Sequence, residues 1–264
     1  MNNDKVVFFD IDGTLYLPKI GVPTSTLEAI NTLKNNGIKV MICTGRARAM
    51  IPESILAIGF DGIIAGAGTY LSIGDKLIYS MNLDSSTTAD MITNIRSHGF
   101  IPVLEGHSIS YYDGDTTNED YKLTMNKYFN EALPHMAPIP DDYSNLVIGK
   151  ASAVYTEGCK EQELIQLYKD NFNAICHGNV LLEFIPKNMS KAYGIQKYLE
   201  LTEISLENTY AYGDSMNDLE MLQYVNYGVA MGNSDDNVKA NVKYVTNSIF
   251  EDGIYNSLKN FNLI

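Results

Sequence analysis

Two aspartates near the start of the chain, Asp10 and Asp12, have the spacing of a catalytic pair. In an extended segment residues i and i+2 point to the same side, so both carboxylates can face one target. One could attack an electrophile while the other serves as general acid and base, and Gly13 lets the chain turn sharply afterwards. A solvated acidic turn is the alternative. The apolar run Lys5–Ile11 argues against it, because it predicts a buried strand.

A second acidic cluster lies in the segment 213–218, which reads Gly-Asp-Ser-Met-Asn-Asp. Asp214 and Asp218 are four residues apart and can share one face of a turn that begins a helix. Paired carboxylates among other oxygen donors suit a hard cation such as Mg²⁺. The alternative is that Asp214 only caps the helix, which this segment alone would favour.

Two cationic positions could bind an anionic substrate. Thr44-Gly45-Arg46 directly follows a predicted strand, and a hydroxyl with backbone N–H groups at a strand-to-helix turn can hold a phosphate. Lys191 follows Ser190, a plausible N-cap, and a cation at a helix N-terminus opposes the helix dipole. It therefore indicates a nearby negative charge. The alternatives are that Arg46 and Lys191 are ordinary surface residues.

The elements that must position these clusters alternate between strand and helix. Predicted strands at Lys5–Ile11, Ile38–Cys43 and Phe60–Ala65 alternate with helices at Thr24–Asn36 and Ala47–Ile58, followed by a hairpin of Tyr70–Ile73 and Lys76–Ser80. This alternation is typical of a parallel sheet covered by helices. Ser25 with Glu28 predicts a capping box for the first helix, and Gly37 its end. The carboxyl ends of parallel strands form the usual ligand site, so the clusters are expected to converge there.

The pattern changes between residues 83 and 186. Helices at Ser86–Ser97, Glu119–Glu131 and Lys160–Asp170 and strands at Ile101–Glu105, Ser108–Tyr112, Lys150–Tyr155, Phe172–Cys176 and Val180–Ile185 are expected there. Consecutive strands with short links predict an antiparallel α+β module. After it the first pattern resumes, with helices at Lys191–Leu201, Asp218–Tyr224 and Asp235–Asn241 and strands at Thr209–Tyr212, Tyr227–Ala230 and Tyr244–Val245. Residues 1–82 and 187–264 are therefore expected to form one α/β domain, with residues 83–186 inserted in it.

Taken in order, the motifs resemble those of a known family. Asp-x-Asp-Gly-Thr-Leu at 10–15, Thr-Gly-Arg at 44–46, a lysine at 191 and Gly-Asp-Ser-x-Asn-Asp at 213–218 look like the four motifs of the haloacid dehalogenase-like phosphatases. The insertion and the tail Ala-Met-Gly-Asn-Ser at 230–234 are similar to the Cof-like branch with a type IIB cap. The resemblance covers essentially the whole chain. It implies an α/β fold, a Rossmann-like parallel-sheet core with an inserted α+β cap.

The resemblance also implies roles for individual residues. Asp10 would be the nucleophile that becomes an aspartyl-phosphate, and Asp12 would protonate the leaving oxygen and later activate water. Mg²⁺ would be bound by the Asp10 carboxylate, the Asp12 backbone carbonyl and Asp214. The phosphate- and substrate-binding candidates are Thr44, Gly45, Arg46, Lys191 and Asn217, with Asp218 and Ser215 as supporting residues.

Charge independently favours a metal. Up to four carboxylates face at most two cationic side chains across these motifs, and a phosphate monoester would add further negative charge. A divalent cation would relieve that repulsion.

Two departures from the family pattern concern substrate choice. Ala67 stands where relatives often have the Asn of Asn-Gly, and Asn188 where they often have the Gly of Pro-Lys-Gly. Within the insertion, His107, Tyr111 and Glu183 are the positions where a change is expected to alter substrate ranking. Surface exposure or packing is the simpler interpretation of all three.

The composition limits the cellular compartment and the binding partners that we expect. The chain has 264 residues and a net charge of −13, which disfavours nucleic acid and anionic membrane surfaces as partners. Its three cysteines, Cys43, Cys159 and Cys176, lie far apart and favour a reducing cytoplasm. The N-terminus does not read as a signal peptide, and no apolar run approaches the roughly 20 residues of a membrane span.

We therefore expect a cytoplasmic Mg²⁺-dependent phosphatase of small phosphorylated metabolites, with sugar phosphates as the expected substrates, acting as a monomer or weak homodimer. A lid formed by the insertion is expected to exclude phosphoproteins. The alternatives are a phosphomutase that uses the same nucleophile and a non-catalytic sensor of a phosphorylated ligand. A pure binder needs no general acid, so the Asp10 and Asp12 pair argues against the sensor.

Overall fold

The computed structural model describes residues 4–18, 20–113 and 135–264. In chain order the strands are β1 (Val6–Phe9), β2 (Lys39–Cys43), β3 (Gly62–Ala65), β4 (Tyr70–Ile73), β5 (Lys76–Ser80), β6 (Ile101–Glu105), β7 (Ser110–Tyr112), β8 (Met136–Pro138), β9 (Lys150–Val154), β10 (Phe172–His177), β11 (Leu181–Pro186), β12 (Thr209–Gly213), β13 (Tyr227–Ala230) and β14 (Tyr244–Val245). The helices are α1 (Thr24–Asn35), α2 (Glu53–Leu56), α3 (Ser85–Ser97), α4 (Glu161–Tyr168), α5 (Lys191–Thr202), α6 (Leu219–Tyr224), α7 (Asp236–Ala240) and α8 (Gly253–Asn260).

The described residues divide into two units. The first takes its residues from Met1–Gly45, Glu53–Ile78 and Ser190–Ile264, and the second from Arg46–Pro52 and Tyr79–Met189. Packing thus places Arg46–Pro52 with the second unit, which no local sequence pattern indicates.

A mixed sheet with a parallel centre organises the first unit. Its strand order is β14-β13-β12-β1-β2-β3-β4-β5, parallel from β14 to β3, with β4 antiparallel to β3. The four residues of β1 are fully buried, as the apolar run predicted. The expected α/β core is confirmed, and the carboxyl ends of β1, β2 and β12 lie along one edge of the sheet.

The second unit contains a sheet of order β10-β11-β9-β6-β7-β8, antiparallel except where β7 pairs with β8. One face packs on α3 and α4 through a cluster that includes Leu104, Ala151 and Phe184. Tyr111 packs against this cluster, which supports packing as its role. On the opposite face, Val103 and Val154 contact Ala47 and Met50 of the segment that joins this unit from the N-terminal part of the chain.

Several local predictions were wrong for physical reasons. The helix expected over Ala47–Ile58, with its regular part beginning near Pro52, does start as an α-helix directly after Pro52, but α2 is only four residues long. The residues before it form a 3₁₀ turn at Arg48–Met50, because Met50 packs on the second sheet. The capping box of Ser25 and Glu28 is absent, because α1 begins after Pro23 and the Ser25 hydroxyl donates to Asp252.

Other differences lie near the end of the chain and in the insertion. α8 was not predicted from the sequence; it packs against α1, and its Ser257 hydroxyl accepts a hydrogen bond from buried Tyr212. The helix expected over Glu119–Glu131 lies outside the described residues. The longest helix that the structure describes, α3, has 13 residues, and none there is both long and apolar enough to cross a bilayer.

Candidate active site

Asp10 lies at the carboxyl end of β1, buried among other charged groups. Its backbone N–H donates to Tyr212 of the adjacent strand at 3.0 Å, which holds it level with the end of β12. Its side chain is 4 % exposed. The predicted burial of the strand thus brings a carboxylate to the edge where the other motifs end.

Lys191 is the cation of the site. Its Nζ donates to Asp10 Oδ1 at 2.6 Å and to Asp218 Oδ1 at 2.5 Å, and the side chain is only 1 % exposed. The alternative of a solvent-facing lysine is therefore wrong. Ser190 caps α5 as predicted, accepting from Tyr193 N at 3.2 Å.

Close contacts of two glycines, one with backbone and one with the Ile64 side chain, fix the start of α5. A Cβ at Gly68 would lie 2.1 Å from the carbonyl oxygen of Ser190, and one at Gly194 would lie 2.4 Å from Ile64. Only glycine permits either approach. The turn after β3 therefore packs directly against Ser190, the residue that precedes Lys191.

The fourth motif folds around Asp218. Its Oδ2 accepts from the backbone N–H groups of Asp214 and Ser215, both at 3.0 Å, while Ser215 forms the reciprocal capping box. The helix is thus capped by Ser215 and Asp218, and the interpretation of Asp214 as a mere helix cap is wrong. Both oxygens of Asp218 accept hydrogen bonds, so its carboxylate is engaged by Lys191 and by the backbone of the turn.

Asp214 contacts the first motif. Thr14 Oγ1 donates to Asp214 Oδ1 at 3.1 Å. A Cβ at Gly13 would lie 2.2 Å from Asp214 Oδ2, so the carboxylate occupies space that only a glycine leaves open. Thr14 was not among the predicted site residues, and its position two residues after Asp12 was the signal that could have identified it.

The other predicted residues are placed as follows. Thr44 is buried at the end of β2, where its backbone N–H donates to Ile64 and its carbonyl accepts from Ala67 N at 3.0 Å. Asn217 lies near Gly45, with Nδ2 3.4 Å from where a Cβ of that glycine would be. Asp12 is exposed and forms a backbone bridge with Tyr16. Arg46 belongs to the second unit, where its Nη1 donates to the Met50 carbonyl.

Both departures from the family pattern have a left-handed backbone. Ala67 has φ 53° and Asn188 has φ 69°. Asparagine tolerates this region well, so Asn188 is a natural replacement for glycine. For Ala67 the same conformation costs about 1 kcal/mol.

Burial, followed by the crowding of carboxylates, dominates the electrostatics of the site. Burial and the neighbouring Asp218 raise the pKa of Asp10 well above its ordinary value, although Lys191 opposes them. Burial and Asp218 also raise the pKa of Asp214 to about 7. Burial alone would lower the pKa of Lys191, but Asp10 and Asp218 raise it, so this lysine stays protonated.

The donor set fits a hard divalent cation. Carboxylate oxygens of Asp10, Asp214 and Asp218 lie within 4.8 Å of one another. Oxygen ligands of this kind are those that Mg²⁺ prefers, and a dication would balance the excess negative charge that, after burial, raises both pKa values. Since Asp218 is engaged by Lys191 and the turn, Asp10 and Asp214 are the better candidate ligands.

Comparison with known proteins gives a consistent result. The family model described as haloacid dehalogenase-like hydrolase matches residues 7–258. The chain is 27% identical to a putative phosphatase, YkrA, of Bacillus subtilis, over 99% of both proteins. It is 28% identical to the pyridoxal phosphate phosphatase YbhA of Escherichia coli, over 95% of this chain and 96% of YbhA.

A solved structure shares the architecture. The subclass IIB sugar phosphatase BT4131 superposes with a TM-score of 0.84 at 27% identity, covering 98% of this chain and 100% of that one. The expected core and cap architecture therefore agrees with an independent structure of comparable length.

Proposed function

The chain belongs to the haloacid dehalogenase-like hydrolases and is a phosphatase, and from this premise we propose that it hydrolyses small phosphorylated metabolites through an aspartyl-phosphate on Asp10. The observation that carries the proposal is the buried contact of Lys191 with Asp10 and Asp218 beside Asp214. Carboxylates buried together around one ammonium repel each other, which lowers the stability of the fold. Such an unfavourable cluster is typical of a functional site.

In the proposed reaction Asp10 attacks phosphorus. A bond forms between a carboxylate oxygen of Asp10 and phosphorus, and the bond from phosphorus to the substrate oxygen breaks as Asp12 donates its proton to that oxygen. Asp12, now ionised, then takes a proton from water, which attacks the aspartyl-phosphate and releases inorganic phosphate. Thr44, with its hydroxyl at the end of β2, and Lys191 would hold the phosphoryl oxygens.

We propose Mg²⁺ as the cofactor, held by the Asp10 and Asp214 carboxylates and the Asp12 carbonyl. When bound it would neutralise the transferring oxygens and keep the nucleophile ionised. The crowded carboxylates and the raised pKa of Asp214, about 7, support this assignment.

Sugar phosphates are the substrates we propose first. BT4131 is a sugar phosphatase, whereas YbhA is a pyridoxal phosphate phosphatase, so pyridoxal phosphate is the natural competitor. We further propose that residues 83–186 determine specificity, that the enzyme acts in the cytoplasm as a monomer or weak homodimer, and that nucleic acids and membranes are not partners. The net charge of −13 supports the last point.

The test is phosphate release across a panel of sugar phosphates, nucleotides, pyridoxal phosphate and flavin mononucleotide, with a phosphoprotein as the large substrate. Wild type should turn over small phosphates with Mg²⁺, and Asp10→Asn, which keeps the size but removes the anion, should lose more than about a thousandfold in kcat. Full activity of Asp10→Asn, or efficient dephosphorylation of the phosphoprotein, would refute the proposal. A requirement for a sugar bisphosphate would identify a phosphomutase instead.

A further inference from the structure

The segment that follows β13 ties the fourth motif to the end of the chain. Met231 N donates to the Gly213 carbonyl at 2.9 Å, and Gly232 N donates to the Asn247 carbonyl at 3.0 Å. A Cβ at Gly232 would lie 2.4 Å from Ser248 N, so glycine alone allows the two segments to approach. The next residue, Asn233, is thereby held next to the first motif.

The side chain of Asn233 bridges two backbone groups distant in sequence. Its Nδ2 donates to the Gly13 carbonyl at 2.8 Å, and its Oδ1 accepts from Ile249 N at 3.0 Å. A carbonyl can only accept and a backbone N–H can only donate, so a single orientation of the amide satisfies both. An aspartate at this position could accept the hydrogen bond from Ile249 N, but it could not donate one to the Gly13 carbonyl.

Gly13 needs such a restraint because it directly follows Asp12. Its backbone has φ +80°. Because glycine has no Cβ, its backbone dihedral angles are the least restricted of any residue. Its N–H donates to the Tyr16 carbonyl at 3.0 Å, which fixes the peptide plane shared with Asp12. The bond from Asn233 restrains the following plane, which leads to Thr14, together with the Thr14 N–H, which donates to the Ile11 carbonyl at 3.3 Å. These three bonds together hold both dihedral angles of Gly13.

We propose that Asn233 is a positioning residue, which holds Asp12 in place for proton transfer by locking Gly13. This inference rests on the proposed function, since Asp12 is the general acid only in a phosphatase. Asn233 acts at one remove, through the backbone, because its amide bonds to the main chain of Gly13 and Ile249 rather than to a carboxylate of the site.

The test compares Asn233→Asp and Asn233→Ala with Asn256→Ala. Asn256 is a matched control, because its exposed amide also makes two bonds, to the Glu251 carbonyl at 2.9 Å and to Asn247 Oδ1 at 3.3 Å. Two quantities are measured in each protein: kcat/KM for p-nitrophenyl phosphate and for an alkyl phosphate, and hydrogen exchange of the amides of residues 11–16.

Misplacing the general acid slows the reaction most for a substrate with a poor leaving group, because that group needs a proton to depart. Both Asn233 variants should lose about fivefold in kcat/KM for the alkyl phosphate, the equivalent of one net hydrogen bond, and less than about twofold for p-nitrophenyl phosphate. Exchange over residues 11–16 should accelerate by a similar factor, and Asn256→Ala should match wild type in both measurements.

Equal losses on the two substrates, or unchanged exchange over residues 11–16 in Asn233→Asp, would overturn the inference. If wild type hydrolyses no phosphate ester, the proposed function fails separately. The exchange measurement then still decides whether Asn233 locks Gly13.

Discussion

The ammonium of Lys191 lies 2.6 Å from the carboxylate of Asp10, although 181 residues separate the two in the chain. The same ammonium contacts Asp218, and all three side chains are buried. One cation thus compensates two carboxylates directly, while Asp214 adds a further negative charge nearby. We expect the balance of positive and negative charge in this cluster to determine both the stability and the reactivity of the site.

Replacing Lys191 with methionine should damage folding as well as activity. It leaves buried carboxylates without their cation, and breaking a buried pair in this way costs about 3 kcal/mol. We expect the free energy of unfolding, measured with urea in EDTA at pH 7.5, to fall by this order, and phosphatase activity to be lost.

Lys197→Met is the matched control. Lys197 lies on the same helix, α5, and its ion pair with Glu200 at 2.6 Å is exposed. Its replacement should change stability little. Equal destabilisation by the two substitutions would mean that the Lys191 contacts do not stabilise the fold.

The raised pKa of Asp214 makes Mg²⁺ binding depend on pH. Burial and Asp218 raise this pKa from 3.8 in the unfolded chain to about 7 in the folded one. The protonated group therefore favours folding below pH 3.8, and that contribution is lost as pH rises through about 7. A cation competes with this proton, so its stabilising effect should grow over the same range.

This dependence is measured as the increase in Tm caused by Mg²⁺ between pH 5.5 and pH 8. Wild type should show an increase that grows with pH between 5.5 and 8, whereas Asp214→Asn, which lacks one of the two proposed carboxylate ligands, should show a much smaller increase at every pH. Asp236→Asn, which removes an exposed carboxylate on α7, should behave as wild type. A response of wild type that is independent of pH would contradict the metal site proposed at Asp214.

A second buried charge cluster, in the second unit, should contribute to stability. Lys150 contacts Glu183 and lies 2.9 Å from Glu105, and His177 Nε2 lies 3.1 Å from the other oxygen of Glu183. Burial would raise the pKa of Glu183, but Lys150 and His177 lower it to about 2. Its stabilising effect is therefore present above pH 4.5 and lost as pH falls towards about 2.

Lys150→Met should leave two buried glutamates facing each other. We expect the unfolding free energy at pH 7 to fall by about 3 kcal/mol, and the deficit to shrink near pH 4 because the glutamates then take up protons. Lys160→Met, which removes an exposed partner of Glu163, is the control and should be nearly neutral. A deficit that stays constant with pH would show that lost packing, not charge, is responsible.

The sequence predicts the strands that end at the candidate site better than it predicts the contacts within that site. Apolar runs predicted β1 and β12 well, because a run of consecutive apolar residues such as Val6–Phe9 is itself the signal of a buried strand. The contact between Lys191 and Asp10 depends on sheet order, which no local pattern encodes. The bond from Ser25 to Asp252 likewise replaced a local capping box with a tertiary partner that the sequence does not reveal.

Gly13 offers the sharpest test of how the first and fourth motifs fit together. A Cβ there would lie 2.2 Å from Asp214 Oδ2 and 2.6 Å from its Cγ, so alanine must displace the carboxylate. Gly21 is a matched control, since it has the same φ of +80° and a Cβ added there would meet nothing within 4 Å. Both substitutions carry the backbone cost of about 1 kcal/mol, but only Gly13→Ala disturbs the site.

Urea unfolding in EDTA, Mg²⁺-dependent Tm shifts and kcat separate these two effects. Gly21→Ala should lose stability slightly and keep the response to Mg²⁺ and the turnover of wild type. Gly13→Ala should lose the response to Mg²⁺ and at least about a hundredfold in kcat, because a displacement of about 1 Å at a catalytic group has this cost. If Gly13→Ala kept the wild-type response to Mg²⁺, Asp214 could not be the metal ligand at this position, since its carboxylate and the new methyl group would need the same space.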